Sequence, residues 1–462
     1  MHRREFLGAM GAAVVAAGRG IAAPARKPNI IFIMVDDLGY GDLGCYGQKL
    51  IRTPHLDRMA AEGTKFTDCY AGSAVCAPTR CVLMTGLHSG HCTRRGNRAK
   101  ADLPGEGKNR GLVPLRPTDY TVATHLRKAG YVTGGIGKWG LGNPGTTGSP
   151  DKHGFDHFYG YLDQVHAHSY YPTWLWRNDQ RQELAGNQGG KRQQYAHDLF
   201  EADTLDFIRR SKGKPFFLYL PYTIPHGKYE VPDTAPYTAQ PWPKTQKNYA
   251  AMITRVDATV GKLFALLREL GLDEHTLVFF TSDNGPNPPF LKLFHSAGGL
   301  RGIKRSLYEG GIRMPMIVRW PGKVPAGKTS DFVWTHTDFF PTACELAGTA
   351  LPKGLDGMSV LPTLLGSLQK PHDALYWEFH APFHQAVRMG RWKGVRFGTD
   401  EPLELYDLAT DRGEKTDITA QHPDVVRRIE TFLATARTES PYWPAVAKRR
   451  VRARGKGKMR KK

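Results

Sequence analysis

The sequence predicts an α/β protein: a large mixed, mostly parallel sheet sandwiched by helices, followed by a smaller C-terminal antiparallel α+β subdomain. Three observations predict it. Short apolar runs rich in β-branched residues end in polar or Gly-rich turns, as strands buried on both faces do. Amphipathic helical patterns alternate with these runs, and that alternation builds a sheet covered on both sides. Beyond about residue 370 the pattern changes to short strands of alternating polarity.

The chain of 462 residues begins MHRREFLGAMGAAVVAAGRGIAAPA. A basic start, an Ala/Gly-rich stretch broken by Arg19 and the small-residue site Ala23-Pro24-Ala25 read as an export signal over 1–25. The pair Arg3-Arg4 before Glu5-Phe6-Leu7 resembles a twin-arginine signal, an address that carries folded proteins across a bacterial membrane; an ordinary secretory leader is the alternative. Both place the mature protein in the periplasm or outside the cell. No apolar run is long enough to span a bilayer, so no transmembrane segment is expected.

KPNIIFIMVDDLGYGD predicts a buried strand at 30–35 that delivers Asp36 and Asp37 at its carboxyl end. The same pattern recurs in GYVTGGIGKWG near 130–140, PFFLYLPYTIPH near 215–226, TLVFFTSDNGP near 276–286 and MPMIVRWPG near 314–322. Helical periodicity separates them in TVATHLRKAG, HDLFEADTLDFIRRS, NYAAMITRVDATVGKLFALLREL and TDFFPTACELAG. Ligands in such sheets gather beyond the carboxyl ends of the strands, where Asp36, Asp37, Lys138, His226, Asp283 and Asn284 fall. These segments make up one domain over 26–365. After a Gly/Pro-rich stretch, ALYWEF, QAVRMGRWKGVRF and LELYDL read as strands and HPDVVRRIETFLATART as a helix, a subdomain over 370–445.

The net charge of +21 first points to a nucleic-acid binder, but ten Lys/Arg residues crowd the last eighteen positions. Without that tail and the leader's net two positive charges, about +9 remains, a moderate excess, and no specific nucleic-acid partner is expected. The tail, 446–462, reads as a disordered like-charge block, either binding polyanions or simply solvated. Cysteines at 45, 69, 76, 81, 92 and 344 show no CxxC or metal-knuckle spacing, and a domain this large needs no disulfide framework; buried thiols with at most one or two bridges are expected.

One cysteine stands apart. In VCAPTRCVLMTG, Cys76-Ala77-Pro78-Thr79-Arg80 is followed after four residues by Thr85-Gly86. This resembles the signature of the type I sulfatases, of the alkaline phosphatase superfamily, and the resemblance runs from about residue 27 to about 440. It implies that Cys76 is oxidised by a formylglycine-generating maturation enzyme to formylglycine, an aldehyde. The chemistry favours an aldehyde because its hydrate carries two hydroxyls on one carbon: one attacks sulfur and the other, deprotonated, collapses to the carbonyl and expels sulfate.

The resemblance further implies one calcium ion held by Asp36, Asp37, Asp283 and Asn284 together with residue 76. An oxygen-only donor set suits Ca²⁺ better than zinc. Arg80 matches the residue that positions the aldehyde hydrate, Lys138 and Lys304 match sulfate binders, and His226 matches the histidine near the leaving oxygen. Fixed cations there stabilise the charge that spreads over the sulfuryl oxygens.

Two positions depart from the family pattern. The usual GKWHLG is GKWGLG here, so Gly140 stands where a histidine takes the proton during sulfate elimination; either another histidine enters the site, with His166 or His168 of QVHAHSYYPTWLWRN the expected one, or Asp283 or water takes the role. Leu87 replaces the arginine that often follows Thr-Gly. Trp174 and Trp176, with Tyr170 and Tyr171, suit stacking on sugar faces, so the expected substrate is a sulfated carbohydrate. The alternatives are an aryl sulfate or a phosphonate monoester as substrate, or an inactive polyanion-binding protein.

Overall fold

The computed structural model describes residues 27–99 and 112–446. The export signal read at 1–25 and the basic tail beyond Val446 lie outside the described residues. The expected architecture is present. The large sheet has eleven strands: β1 (Asn29–Val35), β2 (Thr64–Tyr70), β3 (Val132–Lys138), β4 (His157–Tyr161), β5 (Trp174–Arg177), β6 (Gln180–Glu183), β7 (Phe216–Pro221), β8 (Thr276–Ser282), β9 (Arg313–Arg319), β10 (Lys328–Ser330) and β11 (Trp334–Thr335). Their spatial order is β10-β2-β9-β8-β1-β7-β3-β4-β5-β6, with β11 on β2. The central strands β8, β1, β7, β3 and β4 run parallel, whereas β9 and the β5-β6 hairpin run antiparallel.

The alternation of side chains in β1 explains why the sheet is covered twice. Ile31, Ile33 and Val35 enter one core, with the helices α1 (Pro54–Ala61), α4 (Ala196–Arg210) and α5 (Lys244–Glu269). Ile30, Phe32 and Met34 enter the other, with α2 (Cys76–Thr85), α3 (Val122–Lys128) and α6 (Phe339–Leu346). Each such aliphatic side chain contributes roughly 1.5–3 kcal/mol by leaving water. Because strands buried on both faces leave no side for polar residues, the polar groups of β1, β3 and β8 collect at the strand ends.

The four-stranded antiparallel sheet near the C-terminus is β12 (Leu375–His380), β13 (Phe383–Met389), β14 (Trp392–Arg396) and β15 (Glu404–Asp407). The run 385–397, read as one strand, is a hairpin that turns at Gly390, whose φ is +59°. One face of this sheet takes Val425, Ile429 and Leu433 of α7 (Pro423–Leu433). The other face packs Trp377, Phe379 and Val395 against Tyr70, Ala74 and Val75, directly before Cys76. Among the described residues no helix is long and apolar enough to cross a membrane. All six cysteines are free and five are buried.

Candidate functional site

The polar residues picked out at the strand ends converge on one buried point. Asp36 and Asp37 follow the last residue of β1, Asp283 and Asn284 follow β8, and Lys138 ends β3. Asp37 turns the chain with a φ of 66°, in the left-handed region that Asp tolerates better than most residues. Cys76 is the first residue of α2, and Arg80 lies one turn on, so both project from the same helix face. The glycine-rich loop before β9 brings Lys304 in from the other side.

Cys76 Sγ donates to Asp36 Oδ1 at 3.3 Å and accepts from Lys304 Nζ at 3.5 Å. Lys304 Nζ also donates to Asp37 Oδ1 at 2.5 Å. Lys138 Nζ donates to Asp36 Oδ2 at 2.7 Å, and the Arg80 fork reaches Asp283 Oδ2 at 2.7 Å and the Lys138 carbonyl at 2.9 Å. His226 Nε2 stands 3.4 Å from Asp37 Oδ2. Its backbone carbonyl accepts from the buried Tyr170 hydroxyl, which therefore offers no face for a sugar. Asn287, which the sequence reading passed over, donates to Asp37 Oδ2 at 2.6 Å. Asn97, also passed over, accepts from the Ala77 amide at 3.1 Å and so steadies the start of α2. Neither asparagine sits in a motif that would have marked it.

Three fully buried carboxylates share this space, and their titration separates them. Burial works to raise the Asp36 carboxyl, but Lys138, His226, Arg80 and Lys304 outweigh it and hold the group well below the usual range. Asp37 is lowered in the same way, against burial, by His226 and Lys304. Burial and the charge of Asp36 push Asp283 up to about 7. The Cys76 thiol is pushed up to about 12 by burial and by Asp36. Burial lowers His226, with Asp37 opposing.

Asp36, Asp37, Cys76 and His226 offer ligand atoms within 4.8 Å of one another. Asn284 donates its Nδ2 to Asp37 Oδ1 at 2.7 Å, while its Oδ1 is buried with no partner among the described residues. Crowded carboxylates and an orphaned amide oxygen on one spot form a donor set that fits a hard divalent cation.

The two replacement candidates separate. His168 reaches the site: its ring lies 4.6 Å from that of His226, and burial, His226 and Lys138 push it down to about 4. His166 turns away onto Trp174, with ring centroids 3.9 Å apart, and edge-on to Tyr161. Trp174 and Trp176 are half-buried neighbours on β5, ring centroids 5.3 Å apart, and Arg181 covers Trp174 at 4.6 Å. The outer face of that pair is thus partly occupied by a cation. Leu87 packs against the second core.

Residues 28–349 match the profile of the family described as Sulfatase, and residues 302–439 match that described as N-sulphoglucosamine sulphohydrolase, C-terminal. N-acetylgalactosamine-6-sulfatase of Homo sapiens is 34% identical over 469 residues, spanning 90% of this chain and 87% of that protein. N-acetylgalactosamine-6-O-sulfatase of Bacteroides thetaiotaomicron is 30% identical over 502 residues, spanning 90% and 94%. The solved structure of Ps i-CgsB in complex with k-i-k-neocarrahexaose is similar at a TM-score of 0.77 and 30% identity, covering 90% of this chain and 95% of that one.

Proposed function

Since this chain belongs to the sulfatase family and hydrolyses sulfate esters, we propose that its substrate is a sulfated carbohydrate, cleaved at the S–O bond with residue 76 matured to formylglycine and one calcium ion bound. The carrying observation is the convergence on residue 76 of Arg80, Lys138 and Lys304 with the Asp36, Asp37 and Asp283 carboxylates. The carbohydrate class is supported by relatives named for N-acetylgalactosamine-6-sulfate hydrolysis and by a structural relative in complex with a neocarrahexaose.

Asp36, Asp37, Asp283 and Asn284 would hold the calcium ion, with the residue 76 oxygen completing the set. Such an ion supplies Lewis-acid polarisation of a sulfate oxygen. In place of the thiol, an aldehyde hydrate supplies two hydroxyls on one carbon, so its release from the sulfate needs no second external nucleophile. Lys138 and Lys304 bind the sulfuryl oxygens as fixed charges that gain strength away from water. Arg80 orients residue 76 through its fork. His226, tied to Asp37 and backed by Tyr170, faces the leaving oxygen as general acid or anchor. His168 beside it takes the proton role left open at Gly140, and Trp174 and Trp176 line the approach for the sugar.

Cys76 is 1% exposed, so a maturation enzyme must act before the chain finishes folding. In this reading residues 1–25 then carry the protein to the periplasm or beyond. The test is sulfate release from sulfated galactosamine, glucosamine and galactan oligosaccharides beside an aryl sulfate and a phosphonate monoester, with the mass of the residue 76 peptide. Formylglycine lowers that mass by about 18 Da relative to cysteine. Turnover confined to the aryl sulfate or the phosphonate, or an intact thiol in fully active protein, overturns the reading.

A further inference from the structure

The space that a side chain at position 140 would need is filled by another residue. A Cβ built on Gly140 would meet Gln164 Nε2 at 1.8 Å and its Cδ at 2.9 Å. Gly140 also has a φ of +76°, which other residues adopt at a cost. The glycine therefore makes room for a carboxamide that arrives from elsewhere in the chain.

Gln164 is 8% exposed, and its Nε2 is buried with no hydrogen-bond partner among the described residues. A buried polar group without a partner is costly, and such a group in a native site calls for an explanation. Slack in the loop is not that explanation. Asp163 Oδ1 accepts from the amides of Val165 at 2.6 Å and His166 at 2.8 Å, and the Gly140 amide donates to the Leu162 carbonyl at 3.2 Å. The same loop enters the reaction centre at His168, against His226. Gly140 lies two residues past Lys138, whose Nζ is bound to Asp36.

We propose that Gln164 is a sulfate-binding residue whose carboxamide donates a hydrogen bond to a non-bridging oxygen of the sulfuryl group, a role that rests on the sulfatase reading above. A carboxamide neither takes up nor releases a proton near neutrality. Gln164 therefore replaces the hydrogen-bonding part of the missing histidine and leaves proton transfer to a different group. Its partner oxygen belongs to the group being transferred, so its contribution is independent of the alcohol that leaves.

The experiment compares wild type, Gln164→Ala and Gln164→Glu on an aryl sulfate and on a sulfated sugar, with inorganic sulfate as inhibitor. Gln164→Ala is expected to lose roughly 10- to 100-fold in kcat/KM, the worth of one donor to a charged group, by the same factor on both substrates. Its inhibition constant for sulfate rises as well. Gln164→Glu keeps the shape, sets a negative charge beside the sulfate and loses more. Unchanged kcat/KM and sulfate inhibition in both variants overturn the proposal, as does a lower Tm with unaltered sulfate inhibition. Gly140→His alone is expected to lose activity and Gly140→His with Gln164→Gly to regain part of it; full activity in the single variant overturns the shared-space relationship. A wild type active on the aryl ester alone counts against the carbohydrate substrate and leaves the Gln164 comparison intact.

Discussion

Arg80 Nη2 lies 2.7 Å from Asp283 Oδ2, and neither side chain is exposed. The other arm of the fork, Nη1, donates to the Lys138 carbonyl at 2.9 Å. One planar group thus ties α2, β3 and the end of β8 together around residue 76. Lysine keeps the charge, but its donors all sit on one nitrogen at the end of a flexible stem, and it cannot hold both partners in that geometry. Arg80→Lys is expected to lower kcat/KM by about 10²-fold or more and to lower the Tm. Wild-type kinetics in that variant, measured on matured protein, would show that the fork has no part in placing residue 76.

Removal of the metal should be visible in stability as well as in turnover. Three buried carboxylates and the orphaned Asn284 oxygen are better satisfied with a divalent cation among them. Dialysis against a chelator is expected to lower both Tm and sulfate release, and calcium to restore both more fully than magnesium, which resists irregular oxygen cages. At a hundredfold excess over its Kd, an ion adds about 2.7 kcal/mol. Asp37→Asn and Asn284→Ala should each need more calcium for the same gain in Tm. If calcium leaves the Tm of the chelated protein unmoved at millimolar concentration, the metal assignment fails.

The histidine pair gives an internal control. His168 contacts the His226 ring, whereas His166 is packed on Trp174 and Tyr161. His168→Ala is expected to lower kcat by roughly 10²-fold, the usual worth of a positioned acid or base, with partial rescue by added imidazole. His166→Ala should change kcat by less than about threefold and lower stability instead, through lost aromatic packing. The reverse ranking, or no rescue, assigns the proton to a different group.

The strand ends were legible because a run such as Ile30–Val35 can only be buried, and polar residues directly after it must then stand at a sheet edge. The same logic placed Lys138, Asp283 and Asn284. Strands β2, β4, β5, β6, β10 and β11 were not legible. Gln180–Glu183 is exposed along its whole length, and Thr64–Tyr70 carries Lys65 and Asp68 within a short run, so neither shows a buried-strand signature. Tyr170 looked like a stacking ring, yet its burial beneath His226 follows from chain paths that no local pattern encodes. Gln164 was invisible for the same reason: its meaning comes from a glycine twenty-four residues earlier, met only through the adjacent parallel strands β3 and β4.

The C-terminal sheet is fastened near α2 by a buried carboxylate whose ionisation gives the fold an acid limit. Glu378 on β12 accepts from Arg95 at 3.2 Å, His380 at 2.8 Å, Tyr376 at 2.8 Å and Arg437 at 3.0 Å. Burial works to raise this carboxyl, but His380, Arg95 and Arg437 outweigh it and bring it down to about 2. A folded pKa below the unfolded value means that the unfolded chain binds more protons, so the stabilisation is complete above the unfolded pKa and is lost as the pH falls toward 2. The window runs from about 4.5 down to about 2 and is worth on the order of 3 kcal/mol. Glu378→Gln takes the counter-charge from buried Arg95 and leaves Arg437 with Glu439 alone, at 2.7 Å, and should cost about 3–5 kcal/mol at pH 7. Urea unfolding of both proteins at pH 6 and pH 3 checks the sign. The gap between wild type and Glu378→Gln is expected to narrow as the pH falls, because protonation of Glu378 reproduces the variant, and a gap that stays constant or widens rules out an ionised Glu378 as the fastening.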